Sequence, residues 1–152
     1  MKNIKYFIEY LFVKILFFIF KIVGYKNSSD LGDKIGKIIG PLFRSKKTII
    51  KNLEYAQLNN NQDQVESFIR KMWGNYGRIF SEYPYLKKFK NKSLSNFLSI
   101  VGKEYLEDIK KNNKQVVFIS AHFNNFELMA MQLEDHGIEL AAIYRPLNNI
   151  FL

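Results

Sequence analysis

Hydrophobic positions at the start of the chain recur with the period of a helix. At about 100° per residue, Ile4, Phe7, Ile8, Leu11, Ile15, Phe18, Ile19 and Ile22 share one broad apolar face, and Lys5, Glu9, Lys14 and Lys21 fall outside it. The run from Ile4 to Val23 matches the roughly 20 residues of a spanning helix, but charges interrupt it. Such a helix lies in a membrane interface, crosses as a short span with snorkelling lysines, or packs its stripe on its own domain. The Phe and Leu load it would otherwise have to bury favours membrane contact. No small-residue cleavage site precedes Lys26–Ser29, which argues against a cleaved signal peptide.

Further along, the pattern predicts a short helix over Asp30–Ile39, with Gly32, Gly36 and Gly40 along it and ended by Pro41. A basic helix follows over Arg44–Gln57, then a loop at Asn59–Asn61. Asp63 and Glu66 have the spacing of a capping box for a helix that runs to about Phe80, and Pro84 breaks the chain. After that the period changes. Phe97–Val101, Val116–Ala121 and Ile138–Tyr144 read as strands, with helices predicted over Lys103–Lys111 and Asn125–His136; Gly102 ends the first strand and Gly137 caps the last helix. Strands alternating with helices predict parallel pairing through right-handed crossovers. The expected fold class is therefore α/β: an N-terminal membrane-associating helix and a helical portion, then a partial parallel β-α-β-α-β sheet. Residues 1–25 are the expected anchor and 26–152 the α/β domain. So few strands make a thin sheet with unpaired edges, which leads to the expectation of a truncated or split domain.

Composition bounds the chemistry. The chain has 152 residues, 47% of them hydrophobic and 16% aromatic, enough for a sizeable core and unlike a disordered composition. It has no Cys and only two His, His122 and His136, so neither a disulfide framework nor a zinc site is expected. The net charge is +9 and is carried mostly by Lys; the arginines are Arg44, Arg70, Arg78 and Arg145. Lys is a solvated point charge, better suited to an anionic surface than to reading bases. An anionic membrane is the favoured partner, and with no base-reading motif nucleic acid is not expected.

Chemistry concentrates at one place. His122 follows the expected strand Val116–Ala121, and Glu127 stands in the first turn of the next helix. A carboxylate there can hold one imidazole nitrogen while the other accepts a proton from a hydroxyl, and helix-start N–H groups can face a developing oxyanion. The competing reading is structural: Asn124 and Glu127 also have the spacing of a cap and its N3 partner. His136, at a helix end, reads as a cap. Arg145 follows the third expected strand and is either a surface or paired guanidinium or an anion contact. Gly74 and Gly77, within Trp73–Arg78, suggest close helix packing.

Taken in order, these pieces resemble the bacterial lipid A biosynthesis acyltransferases of the lauroyl/myristoyl type, in the wider glycerolipid acyltransferase-like group. They are the hydrophobic first helix, the basic helix with Lys51–Glu54, GNYGRIFSEYP from Gly74, the strand-end Gly102, HFNNFE from His122 to Glu127 and YRPLNN from Tyr144. Asn124 stands where the family often has Gly, and Phe126 where it often has Trp; Asn tolerates a left-handed turn. The resemblance spans nearly all of this chain and about the first half of the family's usual length. It implies acyl transfer from acyl carrier protein, or another acyl thioester, to a hydroxyl of a lipid A precursor in lipopolysaccharide biosynthesis. His122 would be the general base, Glu127 its orienting carboxylate, and Arg145 and Asn125 substrate contacts, Arg145 meeting a phosphate. It implies no metal or organic cofactor, a location on the cytoplasmic face of the inner membrane, and a partner in the form of a separately encoded C-terminal half. The alternative is a non-catalytic membrane-associated fragment or subunit.

Overall fold

The computed structural model describes residues 2–58, 61–121 and 123–151. Seven helices follow in order: α1 Lys2–Val23, α2 Tyr25–Ile39, α3 Lys46–Tyr55, α4 Gln62–Glu82, α5 Leu86–Lys90, α6 Lys103–Lys111 and α7 Glu127–Asp135, with short 3-10 turns between some of them. They divide into two compact units. One is Phe17–Pro84; the other joins residues up to Leu16 to Tyr85 and beyond.

In the Phe17–Pro84 unit, α2 and α4 cross at closest range. Both helices carry glycine at the crossing. A Cβ at Gly77 would lie on the Gly32 carbonyl and 2.9 Å from the Gly36 Cα, and one at Gly40 would run into the Trp73 ring, 2.6 Å from its Cγ and nearer still to the six-membered ring. With no side chains between them the backbones touch, so the glycines that interrupt the helical pattern are what allows the packing. Polar groups then bridge the crossing. Ser28, fully buried, donates to the Ser81 carbonyl at 2.9 Å, and Ser29 donates to Glu82 at 2.8 Å. Arg78 reaches Ser29, Asp30 and Asp33 at 3.2, 3.0 and 3.4 Å. Asp33 also accepts from Lys37, which holds its carboxyl below the ordinary range, with Arg78 adding to the effect against partial desolvation. The core is aliphatic and aromatic: Ile49 and Leu53 of α3 cluster with Val65, Ile69 and Trp73 of α4. At the end of α1, Phe17 and Phe20 pack against Phe80, with ring centroids 5.2 and 6.3 Å apart.

Several helix boundaries differ from expectation, those of α2 and α4 with a visible cause. Helix α2 begins at Tyr25, not Asp30, because Ser28 and Ser29 make their bonds to α4 from helical positions. Helix α4 is capped by Asn61, whose side chain accepts from the Asp63 N–H at 2.8 Å; Asp63 lies inside the first turn, where a carboxylate suits the helix dipole.

In the other unit, α5 packs with α7. Tyr85, Phe89 and Leu133 are buried there, and Lys90 reaches Glu134 at 4.0 Å. Helix α6 spans the residues the pattern predicts, starting after Gly102 at φ +82°. Helix α7 ends in a Schellman turn: Gly137 at φ +76° donates to the Glu134 carbonyl and Ile138 donates to that of Leu133, at 2.8 and 3.1 Å.

The α/β expectation is overturned. Among the described residues there is no strand and no sheet, and the fold is all-α. Phe97–Val101 opens at the end of a 3-10 turn, and Val116–Ala121 and Ile138–Tyr144 have no regular structure. Val117 and Ile119 are 87% and 94% exposed. Strand propensity mostly measures packing against neighbours, and a parallel strand needs a ladder beside it and helices over both faces. Here no segment pairs with these three, and α7, expected to cover a sheet, packs on α5 instead.

The first helix packs on its own protein by a face other than its broad apolar stripe. The face bearing Tyr6, Tyr10, Val13, Leu16, Phe17 and Phe20 is half-buried to buried. The broad apolar face, Ile4, Phe7, Ile8, Leu11, Ile15, Phe18, Ile19 and Ile22, is exposed. The helix is thus apolar on both sides, and the protein covers the less aliphatic one. Among the described residues no helix is long and apolar enough to cross a membrane.

Candidate functional site

The segment HFNNFE forms the tight approach to α7. His122 lies outside the described residues. After it, Phe123 is exposed and Asn124 adopts φ +48°, a left-handed conformation that a short polar side chain tolerates. The Phe126 N–H donates to the Asn124 carbonyl at 3.1 Å, closing the turn, and Glu127 opens the helix. Asn125 and Glu127 are half-buried.

This geometry removes the capping-box reading. The residue before α7 is Phe126, in helical conformation, and no side chain caps the helix. Glu127 is the first helical residue rather than the third, and Asn124 is turned away from a cap's extended backbone. The Glu127 carboxylate forms no hydrogen bond or ion pair with a described residue, so no structural task occupies it. The N–H groups of Phe126, Leu128 and Met129 already donate, to the carbonyls of Asn124, Asn125 and Phe126. These three amides are therefore engaged in the turn.

Arg145 is exposed, in an irregular segment, and pairs with no described acid. No hydrogen bond or ion pair joins it to Glu127 among the described residues. Its segment is nevertheless tethered, by a residue the sequence pattern does not single out. Asn149 is buried and donates to the Tyr6 carbonyl at 2.9 Å and to Glu9 at 3.2 Å, while its carbonyl oxygen accepts from the Phe151 N–H at 3.0 Å. The Phe151 ring lies against Phe7 and Tyr10, with centroids 5.8 and 6.2 Å apart. The YRPLNN segment is thereby fastened to the first turns of α1. Asn149→Ala should cost about 1–3 kcal/mol for the buried partners left unmet, and should speed hydrogen exchange at the Phe151 amide. Unchanged exchange there would mean that the tether does not operate in solution.

His136 takes the position expected of it. It is the C-cap of α7, and its Nδ1 donates to the Gln132 carbonyl at 2.7 Å. It also lines a cleft of about 470 Å³ with Phe89, Leu98, Leu106, Lys92 and Lys110. That cleft is at the opposite end of α7 from Glu127, about 12 Å along the helix axis, and holds none of the expected site residues. Among the described residues no three His, Asp or Glu side chains gather to hold a metal ion.

The GNYGRIFSEYP segment is helix α4 at its crossing with α2. Gly74 and Gly77 face α2, Arg78 holds Asp30 and Asp33, and Ser81 accepts from Ser28 through its carbonyl. Its sequence signal was available: glycines four apart at Gly32, Gly36 and Gly40, with a second pair at Gly74 and Gly77.

No curated protein and no solved structure matches the chain. A family model does match, over residues 1–152, and by that match the chain belongs to the bacterial lipid A biosynthesis acyltransferases.

Proposed function

We propose that the protein transfers an acyl chain from an acyl thioester, carried by acyl carrier protein, to a hydroxyl of a lipid A precursor at the cytoplasmic face of the inner membrane. The observation that carries this reading is a half-buried carboxylate, Glu127, with no capping role and no partner among the described residues, five positions after His122 in a family whose chemistry is acyl transfer. In the reaction, the His122 imidazole takes the proton of the acceptor hydroxyl as its oxygen attacks the thioester carbonyl. The tetrahedral adduct collapses, the carbon–sulfur bond breaks, and the thiolate leaves with the proton returned from the imidazolium. Glu127 stabilises the imidazolium by its charge and fixes its tautomer. Arg145, exposed and unpaired with any described acid, suits a phosphate of the acceptor, and Asn125, in the same turn as Glu127, suits a polar group near it. None of these steps calls for a metal or an organic cofactor.

The test is direct. The purified chain is incubated with acylated carrier protein and a detergent-dispersed lipid A precursor, and the ester and the released thiol are counted. Equal yields of the two are expected; thiol release without ester would indicate hydrolysis and overturn the reading.

One observation favours a second reading, a non-catalytic membrane-associated subunit. The approach to His122, Val116–Ala121, is largely exposed and held by no ladder, whereas a catalytic base is normally held by its surroundings. Absence of both products in the same assay selects that reading.

Membrane contact is common to both. The exposed face of α1 is long and aliphatic, and Lys5, Lys14 and Lys21 flank it, as on a helix lying at an anionic interface. Ile8→Asn and Ile15→Asn should each weaken co-sedimentation with anionic vesicles about tenfold, since burying such a side chain is worth roughly 1.5–3 kcal/mol. Both residues are exposed, so the fold should survive the change. Equal binding by the double variant would remove α1 from the interface.

A further inference from the structure

The corner between α2 and α3 carries a second, separate apolar apex. Helix α2 stops at Ile39, a 3-10 turn covers Gly40–Leu42, and Ser45 caps α3. Within this corner Ile38, Leu42 and Phe43 are 77%, 83% and 79% exposed. The corner is not a loose loop. The Phe43 N–H donates to the Gly40 carbonyl at 2.9 Å, the Ser45 hydroxyl accepts from the Thr48 N–H at 3.3 Å, and Gly40 is buried against the Trp73 ring. The chain thus holds large aliphatic and aromatic side chains in water on a rigid root. A contiguous exposed apolar group of this kind marks an interaction site.

The surrounding charge says what the site meets. Between Asp33 and Glu54 the sequence has Lys34, Lys37, Arg44, Lys46, Lys47 and Lys51 and not one Asp or Glu. Lys37 and Lys46 are held by Asp33 and Glu66, but Lys34, Arg44 and Lys47 pair with no described acid. An apolar apex inside a collar of cations matches a bilayer whose anionic headgroups lie above hydrocarbon. A second copy of the chain would bring the same cations face to face and be repelled. We infer that Leu42 and Phe43 insert into an anionic lipid surface, with Arg44 and Lys47 on the headgroups. The inference rests on the membrane reading above for its partner but on different residues, and it assigns the α2–α3 corner a lipid contact independent of α1.

The experiment reads location rather than binding. The chain has no Cys, so Phe43→Cys in the full chain takes a single polarity-sensitive dye, and Lys71→Cys, on the exposed side of α4, serves as reference. On vesicles of phosphatidylcholine and phosphatidylglycerol, the dye at 43 should shift to the blue and be quenched by acyl-chain quenchers, while the dye at 71 stays in water. Neutralising Arg44 and Lys47 (Arg44→Gln, Lys47→Gln) should weaken partitioning about fivefold per cation. Vesicle-bound protein whose dye at 43 is unchanged overturns the inference and leaves the α1 reading standing. Protein that does not bind these vesicles at all overturns both. A blue shift without lipid that grows with protein concentration assigns the apex to a second copy and overturns it as well.

Discussion

His122→Ala is expected to lose roughly 10²–10⁴ of the acyl-transfer rate, the usual contribution of a positioned general base. The hydroxyl of the acceptor is a poor nucleophile while it keeps its proton. With the imidazole removed, only water can take that proton, and the remaining rate reflects binding and proximity alone. Glu127→Gln should lose less, because an amide can still hold the ring but stabilises its charged form poorly. The structure sharpens this comparison. Glu127 opens α7 without capping it, and its carboxylate has no hydrogen-bond or ion-pair partner among the described residues. Its replacement should therefore leave thermal stability nearly unchanged while the rate falls. Initial rates and melting curves measured on the same preparations check both halves. Full activity in a folded His122→Ala protein would end the general-base mechanism; a Glu127→Gln protein that is unstable rather than slow would return that residue to a structural role.

Gly77→Ala is expected to destabilise the fold, against the helix propensities. In an open helix interior the change would gain about 1 kcal/mol. Here the new Cβ would meet backbone: the Gly32 carbonyl carbon at 2.8 Å and the Gly36 Cα at 2.9 Å. Backbone cannot rotate aside as a side chain does, so α2 and α4 must part, and the cost should reach the upper end of the roughly 1–3 kcal/mol typical of overpacking. Parting them also lengthens the bonds of Ser28 to Ser81 and of Arg78 to Asp30. A net loss of about 2 kcal/mol lowers Tm by roughly 4–8 °C in a chain of this size. Gly74→Ala, three residues earlier on the same helix, is the control. Its Cβ would meet the ends of the Asp33 and Lys37 side chains, the Lys37 Cε at 2.8 Å, which can move. It should stay within about 1 kcal/mol of neutral. Similar melting temperatures for the two variants would show that the backbones of α2 and α4 are not in contact at Gly77.

The local features that the sequence determined are those whose causes are local. Helix α6 spans Lys103–Lys111 as the pattern predicts, because Gly102 supplies the turn before it. Gly137 ends α7, and His136 caps it, for reasons contained within a few residues. The apolar stripe of α1, the basic character of α3 and the order HFNNFE then YRPLNN are properties of the chain itself, and they carried the family resemblance that the match over residues 1–152 bears out. Tertiary structure alone decided the rest. Val116–Ala121 has the composition of a buried strand, but a strand exists only through a neighbour's hydrogen bonds and covered faces, and among the described residues it has neither. Gly77 looks like a weak point in a helix until Gly32 is brought against it. Asn149 looks like any loop asparagine until its amide meets Tyr6 and Glu9. Periodicity marked out the apolar face of α1, but which face the protein covers depended on what the rest of the chain placed beside it, and that was the face of Phe17 and Phe20.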